Sequence, residues 1–446
     1  MGKTVDIVGA GLAGSECALQ LANRGIHVTL YEMRPKKTTP VHHSDLCAEL
    51  VCSNSLKSTK AQSAAGMLKF ELEKFGSELL KIAYTNSVPA GGALAVDRDA
   101  FAQEVTTLIE KNPYINLQRT YVEQIPTGAD AVVLASGPLT DGSLAQEISA
   151  ITGTKSLSFY DAAAPIVMAD SLDFTKLFSQ SRYEAEGEGD YVNAAMNKEE
   201  YEAFITELCR AQRVIHKEFE TTDLFQACQP IEEIARKGID APRFGAMKPV
   251  GLVDPKTGKR PWAALQLRKE DGHGASYNLV GFQTNLTFSE QQRIFRMIPG
   301  LEQAEFARYG VMHRNTFIDA PHVLNAKLQM KEGVKHPVYI AGQLGGTEGY
   351  CEAIMSGFWV ALNIVSSFDG KELPSLPQES AFGALLAYAT NPETKNYQPM
   401  HVNFGIMPPL KTHIRNKKDR YGAYAARGHQ AIDAYLASST IKDGSV

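Results

Sequence analysis

The chain opens with Val5-Asp6-Ile7-Val8-Gly9-Ala10-Gly11-Leu12-Ala13-Gly14, and Val28-Thr29-Leu30-Tyr31-Glu32 follows it. An apolar strand that runs into Gly-x-Gly-x-x-Gly and then a helix is typical of dinucleotide-binding units. In that pattern Gly9 permits the tight turn, Gly11 lets the backbone approach a pyrophosphate, and Gly14 lets the helix pack on the strand. The helix N-terminus then offers free N–H groups to the phosphates. The alternative is a glycine turn that only tightens a strand–helix junction.

Glu32 supports the dinucleotide interpretation, because it lies 23 residues after Gly9 at the end of the second predicted strand. A carboxylate at this place accepts hydrogen bonds from a ribose. An acid rather than an arginine favours a dinucleotide without a 2′-phosphate, so the stretch predicts FAD or NAD.

A second strand–glycine–helix unit lies about 330 residues later. Residues 338–341 form an apolar run, Gly342-Gln343-Leu344-Gly345-Gly346 follows, and residues 348–365 have helical spacing. Ordinary strand–helix packing would give the same pattern, but two nucleotide-facing turns favour FAD over NAD. The predicted cofactor-binding residues are Gly9, Ala10, Gly11, Leu12, Ala13, Gly14, Glu32, Met33, Arg34, Gly342, Gln343 and Glu348.

The predicted fold class is α/β, with a Rossmann-like FAD-binding domain built from both ends of the chain and an inserted α+β domain. We expect residues 1–157 and 308–446 to form the first domain and residues 158–307 the insertion. Helical spacing predicts helices over residues 61–83 and 198–220. Short β-like runs at 263–267 and 277–282 predict antiparallel strands in the insertion.

Composition narrows the class of protein. The chain has 446 residues, 44% of them apolar, and a net charge of −5, which gives no sign of a generally basic nucleic-acid binder. Its six cysteines form no C-x-x-C pair and no zinc-ligand spacing, so we expect reduced thiols and no metal. The N-terminus goes straight into a strand, and the longest apolar runs are far shorter than the roughly 20 residues that span a bilayer. A cytoplasmic protein without a membrane partner is predicted.

Free cysteines are usually small buried hydrophobes, but two of the six lie among polar and turn-forming neighbours and are the first candidates for reactive thiols. Cys52 belongs to Val51-Cys52-Ser53-Asn54-Ser55, and Cys228 belongs to Ala227-Cys228-Gln229-Pro230. A thiolate suits attack on a soft electrophilic carbon, and two thiols can also exchange electrons with a flavin. Residue chemistry alone therefore leaves two enzyme classes open.

The C-terminal segment carries basic side chains interleaved with Tyr421 and Tyr424. Basic groups contact phosphates and aromatic rings stack on bases, so this segment is a candidate RNA contact. A solvated surface is an equally good explanation of the charges. The candidate residues are Lys411, Arg415, Lys417, Lys418 and Arg420.

Several long motifs resemble one family, the folate- and FAD-dependent tRNA (uracil-5-)-methyltransferases, which are related to GidA-like flavoproteins. Besides the first glycine turn and the Cys52 run, they are Tyr31-Glu32-Met33-Arg34-Pro35, Pro89-Ala90-Gly91-Gly92-Ala93-Leu94-Ala95-Val96-Asp97-Arg98, Met247-Lys248-Pro249-Val250-Gly251-Leu252 and Tyr309-Gly310-Val311-Met312-His313-Arg314-Asn315-Thr316. The similarity spans nearly the whole chain.

The resemblance implies bound FAD, 5,10-methylenetetrahydrofolate as carbon donor, NADPH or NADH as reductant, and 5-methyluridine in the tRNA T-loop as product. The two functional cysteines of the family fall on Cys52 and Cys228. We expect Cys228 to add to uracil C6 and Cys52 to remove the C5 proton or shield the intermediate, although the two roles could be exchanged. The sequence has Cys228-Gln229-Pro230 where Cys-Met-Pro is expected, which keeps ribosomal RNA open as a substrate.

Two other classes of function remain for comparison. One is a flavin oxidoreductase of a small molecule with Cys52 and Cys228 as a redox pair. The other is an RNA-binding protein that keeps flavin only for structure.

Overall fold

A computed structural model describes residues 2–39, 41–153, 157–182, 189–215, 229–394 and 397–438, without the side chains of 157–159. The central element is a five-stranded parallel sheet in the order β16-β7-β1-β2-β6. Its strands are β1 (Thr4–Val8), β2 (His27–Glu32), β6 (Ile115–Arg119), β7 (Ala131–Leu134) and β16 (Val338–Ile340). All four residues of β7 are buried, as expected for a strand covered on both faces. Because β16 pairs with β7, the two ends of the chain build one sheet.

The helices of this region pack on the sheet or on one another. They are α1 (Leu12–Ala22), α2 (Ala64–Phe75), α3 (Glu78–Thr85), α4 (Arg98–Lys111), α5 (Gly142–Thr152), α9 (Ala320–Val323), α10 (Tyr350–Phe368), α11 (Ala381–Thr390) and α12 (Lys417–Ser438). Every residue of α1 is buried, and α10 crosses it closely at Gly357, where an added Cβ would lie 2.0 Å from the Ala13 oxygen. The two glycine-turn helices therefore pack directly on each other.

The middle of the chain forms a six-stranded antiparallel sheet in the order β10-β11-β12-β13-β9-β14. Its strands are β9 (Ile166–Met168), β10 (Leu177–Ser179), β11 (Tyr191–Met196), β12 (Ala263–Lys269), β13 (Ser276–Leu279) and β14 (Phe306–Arg308). The helices α6 (Lys198–Arg210), α7 (Ile231–Arg236) and α8 (Phe288–Phe295) belong to this region. It has its own apolar core, so the predicted α/β fold with an α+β insertion is confirmed.

Two small sheets connect the regions. The strands β8 (Leu157–Ala162) and β15 (Met312–Phe317) pair antiparallel where the chain leaves and re-enters the first region. The strands β3 (Ser55–Ser58), β4 (Ser87–Val88) and β5 (Ala93–Val96) form a three-stranded sheet. The domain bounds at 157 and 307 stay predictions, and β8 and β14 each run across one of them.

Buried polar contacts join the two regions. Arg98 donates to Glu270 over 2.8 Å, and Arg268 donates to the Asn54 side-chain oxygen over 2.9 Å. Asn54, which is fully buried, donates in turn to the backbone oxygens of Val96 and Lys269. The side-chain amide of Asn54, in the loop that carries Cys52, thus helps to hold the two regions together.

Three predicted helices have different bounds. The predicted helix 61–83 is two helices, because Gly76 adopts a left-handed conformation (φ +83°) and the Ser77 side chain caps α3. The predicted helix 198–220 ends at Arg210, since Ala211 is extended; residues 216–220 lie outside the described residues. The predicted helix 348–365 is α10, which starts at Tyr350 because Gly349 has φ +116°.

Among the described residues, α10 alone is long and apolar enough to cross a membrane by length and composition. In the structure 83% of that apolar window is buried, as in the core helix of a soluble protein. Length and composition are therefore weak evidence for a membrane span here.

Candidate active site

A cavity of about 460 Å³ lies along the carboxyl edge of the parallel sheet. Ligands of doubly wound α/β proteins bind at this edge, and pockets for such ligands measure roughly 300–1,000 Å³. Of the predicted cofactor residues, Ala10 and Gly14 lie behind the wall, and the others line it: Gly9, Gly11, Leu12, Ala13, Glu32, Met33, Arg34, Gly342, Gln343 and Glu348. Cys52 lines it as well.

The first glycine turn is closed by backbone contacts. Gly9 has φ +101°, and a Cβ added there would lie 2.4 Å from the Ala135 oxygen. A Cβ at Gly14 would lie 1.9 Å from the Gly9 oxygen, whereas a Cβ at Gly11 would meet nothing within 4 Å. Gly9 and Gly14 therefore let α1 approach β1 and β7, and Gly11 leaves open space on the cavity side.

The N-terminus of α1 has no side-chain cap. Such a helix end has free N–H donors and a positive dipole, which bind phosphate groups. At the next strand, Glu32 accepts from the Ala10 N–H over 3.1 Å and lines the cavity.

Arg34 holds Glu32 in place. Its side chain, 2% exposed, donates to Glu32 over 2.7 Å and to Glu49 over 2.8 Å, so three charged groups form a buried chain. Burial alone would raise the pKa of Glu32, but the hydrogen bonds and charge of Arg34 lower it below its ordinary value. This end of the cavity therefore carries a fixed anion ready to accept hydroxyl donors.

The second glycine turn is followed by a cluster of titratable side chains. Gln343 donates to Glu348, and the Lys57 amine lies 3.5 Å from the buried carboxylate of Glu352. Burial, together with the nearby Asp161 and Glu352 carboxylates, raises the pKa of Glu348 to about 8. Burial lowers the pKa of Lys57, but Glu352 and Glu348 outweigh it and the pKa is raised. Gly349 is favoured here because its φ of +116° is strained for a residue with a side chain, and an added Cβ would also lie 2.3 Å from Glu352 Oε2.

Cys52 belongs to this reactive end and is partly exposed. The backbone N–H groups of Cys52 and Ser53 donate to the Tyr350 hydroxyl over 2.8 and 3.1 Å. The first residue of α10 thereby holds the cysteine loop at the cavity wall. The paired strands β8 and β15 also contribute to the cavity wall, β8 with Asp161 and β15 with His313 and Asn315.

Cys228 lies outside the described residues, which resume at Gln229. Shortly after that point Ile231 donates its N–H to the Gln283 backbone oxygen over 2.7 Å, and Gln283 lines the cavity. The described chain next to Cys228 is thus anchored to a residue of the cavity wall.

The other cysteines that the structure describes are Cys17, Cys47, Cys209 and Cys351, all free thiols and none exposed. Burial raises the pKa of Cys47 to about 11, and Cys17 is fully buried within α1. Among described side chains, no group of three or more His, Cys, Asp or Glu is arranged to hold a metal ion.

The C-terminal basic segment lies on the surface. Lys411, Arg415, Lys417 and Lys418 are exposed, while Arg420 is partly buried and donates to the backbone oxygens of Ile414 and Arg415. Four of the five predicted RNA-contacting side chains are therefore accessible.

Three further residues that the sequence motifs did not indicate as site residues also line the cavity: Lys57, Tyr350 and Glu352. Lys57 lies five residues after Cys52 and has a left-handed backbone (φ +66°) that is unusual for a lysine. Tyr350 and Glu352 lie one and three residues after Gly349. Their position just after the second glycine turn is the feature of the sequence from which they could have been predicted.

The residues present fit FAD. Gly9 and Gly14 close the turn without a Cβ, α1 offers an uncapped N-terminus, and Glu32 faces the same cavity. The two glycine turns lie on neighbouring sides of this one cavity, which suits a long dinucleotide. Residues of the first turn would hold the adenosine and pyrophosphate, and those of the second turn would face the flavin.

Comparison with known proteins agrees with this arrangement. Residues 4–372 match the family described as glucose inhibited division protein A. The chain is 48% identical to methylenetetrahydrofolate--tRNA-(uracil-5-)-methyltransferase TrmFO of Desulforamulus reducens, covering 98% of this chain and 99% of that protein. It is 51% identical to the TrmFO of Fusobacterium nucleatum, over 96% of this chain and 97% of that one.

Solved structures share the fold. The form I crystal structure of Aquifex aeolicus GidA superposes with a TM-score of 0.69 at 14% identity, covering 99% of this chain and 77% of that one. The form II crystal gives 0.66 at 15% identity, over 98% and 74%. With the near full-length identity to the curated relatives, this shows that the chain belongs to the TrmFO family, within the wider GidA group of flavoproteins.

Proposed function

We propose that the protein methylates C5 of the T-loop uridine, position 54, of tRNA to 5-methyluridine. The carbon donor is 5,10-methylenetetrahydrofolate, and FAD reduced by NADPH or NADH is the reductant. One observation carries the proposal: a partly exposed thiol, Cys52, lines the reactive end of a dinucleotide cavity in a chain about half identical to TrmFO proteins. The enzyme would act in the cytoplasm, where tRNA and folate are available.

The chemistry follows from the weak nucleophilicity of uracil C5. A thiolate of Cys228 adds to C6, and the electrons of the C5–C6 double bond move to form an enolate. C5 then attacks the methylene carbon of the donor, and one of the two C–N bonds of that carbon breaks, with the electron pair and a proton going to the nitrogen. Cys52 as thiolate takes the C5 proton, and the second C–N bond breaks, which releases tetrahydrofolate and leaves an exocyclic methylene group at C5. When bound, reduced FAD would supply a hydride to this methylene group. The C5–C6 double bond re-forms as the Cys228 thiolate leaves C6.

Two features support these roles. Tyr350 holds the Cys52 backbone at the cavity wall through two hydrogen bonds, which fixes where a base would act. The described chain after Cys228 is anchored at Gln283 of the same wall. The opposite assignment, with Cys52 as nucleophile, uses the same residues and is separated by the test below.

The RNA must leave its stacked conformation, since an enzyme cannot reach a base atom inside a helix. The exposed Lys411, Arg415, Lys417 and Lys418 supply positive charge for the T-arm backbone. Removing Lys417, Lys418 and Arg420 together would weaken tRNA binding and lower its salt dependence; unchanged affinity would return the segment to solvated surface.

The test incubates the flavin-loaded protein with unmodified tRNA, methylenetetrahydrofolate and NADPH, and measures 5-methyluridine. Parallel reactions use NADH and ribosomal RNA, which decide the nicotinamide and the RNA. We expect product on tRNA, and no product with Cys228→Ala. NADPH oxidation without product on either RNA would instead support a flavin oxidoreductase.

RNA containing 5-fluorouridine distinguishes the two cysteines, because fluorine at C5 traps the covalent adduct. We expect an adduct with the wild type and with Cys52→Ala, and none with Cys228→Ala. An adduct that survives Cys228→Ala but not Cys52→Ala would reverse the assignment.

A further inference from the structure

A second strongly basic segment lies in the inserted region. Residues 236–260, the insertion surface, carry seven Lys and Arg side chains and only two Asp, although the whole chain has a net charge of −5. Five of the seven basic side chains are exposed, among them Lys256, Lys259 and Arg260. These three form no ion pair with any residue that the structure describes. An anionic partner would therefore meet a local positive surface here, on a protein that is acidic as a whole.

The insertion surface also exposes an aromatic ring. Phe244 is 82% exposed, more than any other large apolar side chain among the described residues. Its backbone is nevertheless fixed, because Pro242 and Met247 on either side of it are buried and the Met247 N–H donates to the Pro242 oxygen over 2.9 Å. A packed turn thus holds the ring outside the core, where it is available to a partner.

An arginine connects this ring with the exposed cations. The Arg243 guanidinium lies 3.7 Å from the centre of the Trp262 ring, and its Nε donates to the Trp262 backbone oxygen over 2.9 Å. Arg260 lies two residues before Trp262, and the basic turn at 254–259 comes directly before Arg260. Phe244 follows Arg243 in the sequence, so the aromatic and the basic parts of the insertion surface meet at Arg243 and Trp262.

The insertion surface lies next to the chain that follows Cys228. The helix α7 begins three residues after Cys228 and packs against the short 3₁₀ helix Ala241–Phe244. An added Cβ at Gly281 would lie 2.8 Å from the Ala246 Cβ, and Gln283, two residues after Gly281, lines the cavity. RNA held by the insertion surface would therefore lie beside the part of the cavity wall that Gln283 forms.

We propose that the insertion surface binds the T-arm of the RNA, an inference that rests on the proposed function. Phe244 stacks on a base next to the target uridine, and the exposed Lys and Arg side chains contact backbone phosphates. When the target uridine leaves its stack, the neighbouring base loses a stacking partner, and an exposed aromatic ring replaces it.

Charge and composition favour RNA over a protein partner. Four of the seven basic residues of the insertion surface are lysines, a residue type that protein–protein interfaces contain less often than the rest of the surface. Aromatic rings beside basic side chains are typical of sites that bind unpaired RNA, because rings stack on bases and cations contact phosphates. The C-terminal basic segment and the insertion surface would then contact the T-arm at two separate places.

The test measures equilibrium binding of a T-arm stem-loop RNA to the flavin-loaded protein without folate or NADPH, so that no turnover occurs. We expect Phe244→Ala to weaken binding about tenfold, which lies within the range for one base stacked on an aromatic ring. Phe244→Trp keeps a ring and is expected to bind within about twofold of the wild type. Flavin content and melting temperature should be unchanged in both variants, because the side chain is exposed.

Removing the partner base tests the stacking directly. An abasic site is placed on each side of the target uridine in turn, and one of the two RNAs should bind the wild type about tenfold more weakly. With that RNA, Phe244→Ala should cause no further loss, because the base on which the ring would stack is absent. Phe174→Ala, at a phenylalanine of the inserted region that is 47% exposed, is the matched control and should bind every RNA like the wild type.

The basic part of the surface has its own test. A variant that combines Lys256→Ala, Lys259→Ala and Arg260→Ala should weaken binding of the intact and the abasic RNAs alike, since contacts with phosphates do not depend on the bases. The dependence of its affinity on salt should also be smaller than that of the wild type.

Unchanged RNA affinity in Phe244→Ala would overturn the inference, and so would an equal loss with the intact RNA and both abasic RNAs. A wild-type dimer that Phe244→Ala dissociates at unchanged RNA affinity would overturn it too, since the surface would then join two copies of the chain. Formation of 5-methyluridine together with unchanged affinity in Phe244→Ala would overturn only the insertion surface. The expected losses of binding without any 5-methyluridine formation by the wild type would overturn only the proposed function.

Discussion

Each end of the cavity that the two glycine turns line has a glutamate, and the surroundings shift the pKa values of the two in opposite directions. At the dinucleotide end, Arg34 lowers the pKa of Glu32 and keeps it ionised. At the reactive end, burial and neighbouring carboxylates raise the pKa of Glu348 to about 8, so this group changes its charge in the neutral range. A fixed anion suits recognition of a ribose, whereas a group that titrates near neutrality suits a place where protons move.

The glycines at the two ends differ in what surrounds them. An added Cβ at Gly9 would meet the backbone of Ala135, which cannot move without shifting β7. An added Cβ at Gly349 would meet the side chains of Glu352 and Lys57. The glycine at the binding end is thus enclosed by main chain and the glycine at the reactive end by ion-paired side chains, so substitutions at these two glycines should have different effects.

The largest effect is expected from Gly9→Ala. The Cβ would lie 2.4 Å from the Ala135 oxygen at a positive φ, so we expect loss of bound flavin and several kcal/mol of destabilisation. Gly11→Ala is the matched control, because a Cβ there meets no protein atom within 4 Å. It should keep its thermal stability and lose flavin affinity only. Flavin absorbance per chain and the melting temperature measure both; retained flavin in Gly9→Ala would contradict the steric argument.

Next in size is Arg34→Leu, which leaves the carboxylates of Glu32 and Glu49 buried without their cation. Breaking a buried ion pair in this way costs about 3–5 kcal/mol. Urea unfolding should show that loss at neutral pH. Because the folded pKa of Glu32 lies below its unfolded value, its contribution is present above about pH 4.5 and is lost on acidification, so the variant and wild type should converge at low pH.

Lys37→Met removes a salt bridge at the surface with Asp141 and serves as the control for Arg34→Leu. Its effect should stay below about 1 kcal/mol, since exposed ion pairs contribute little. Equal losses in the two variants would mean that the charged chain at Glu32 contributes no more than a surface pair.

The binding end could be predicted from the sequence because its determinants are local. The spacing of Gly9, Gly11 and Gly14 and the acid at Glu32 describe a backbone shape. In the structure Gly9, Gly11 and Glu32 line one cavity, and Gly14 lies behind its wall. The family resemblance and the α/β fold were likewise predicted and are confirmed. The assignment of individual site residues stays a prediction.

The reactive end could not be predicted in the same way, because its contacts join distant parts of the chain. Tyr350 is 298 residues from Cys52, and no periodicity indicates that its hydroxyl accepts from that loop. No sequence pattern predicts the pairing of Arg98 with Glu270 across the two regions either. The break at Gly76 was missed for another reason, since the apolar spacing of residues 61–83 continues across a left-handed glycine.

A medium effect is expected from Glu348→Gln. The folded state keeps a proton on Glu348 up to about pH 8, whereas an unfolded glutamate loses it near pH 4.5. The contribution of Glu348 to stability is therefore largest below pH 4.5 and falls by up to about 1.4 kcal/mol per pH unit between these values. Since Glu16, Glu71 and Glu232 also have raised pKa values of about 7, the difference between variant and wild type is the informative quantity.

Urea unfolding at pH 6 and pH 8 measures the free energy of unfolding of both proteins. Between pH 6 and pH 8, the stability of Glu348→Gln relative to wild type should rise by about 1–2 kcal/mol. Glu372→Gln, at an exposed carboxylate, should show no such gain. The same pH slope in wild type and Glu348→Gln would contradict the raised pKa.

The smallest effect on stability is expected from Tyr350→Phe, which tests how the reactive end is held. Without the hydroxyl, the N–H groups of Cys52 and Ser53 lose their acceptor, and the cysteine loop is free to shift. We expect about 1 kcal/mol of destabilisation, close to the net value of one or two neutral hydrogen bonds. Methylation should fall more, by about tenfold in kcat, because a displaced base costs rate even when the fold is intact. Flavin content should be unchanged, since the first glycine turn is not affected. A fall in flavin content that accounts for the whole loss of rate would show that Tyr350 supports the cofactor site and not the position of Cys52.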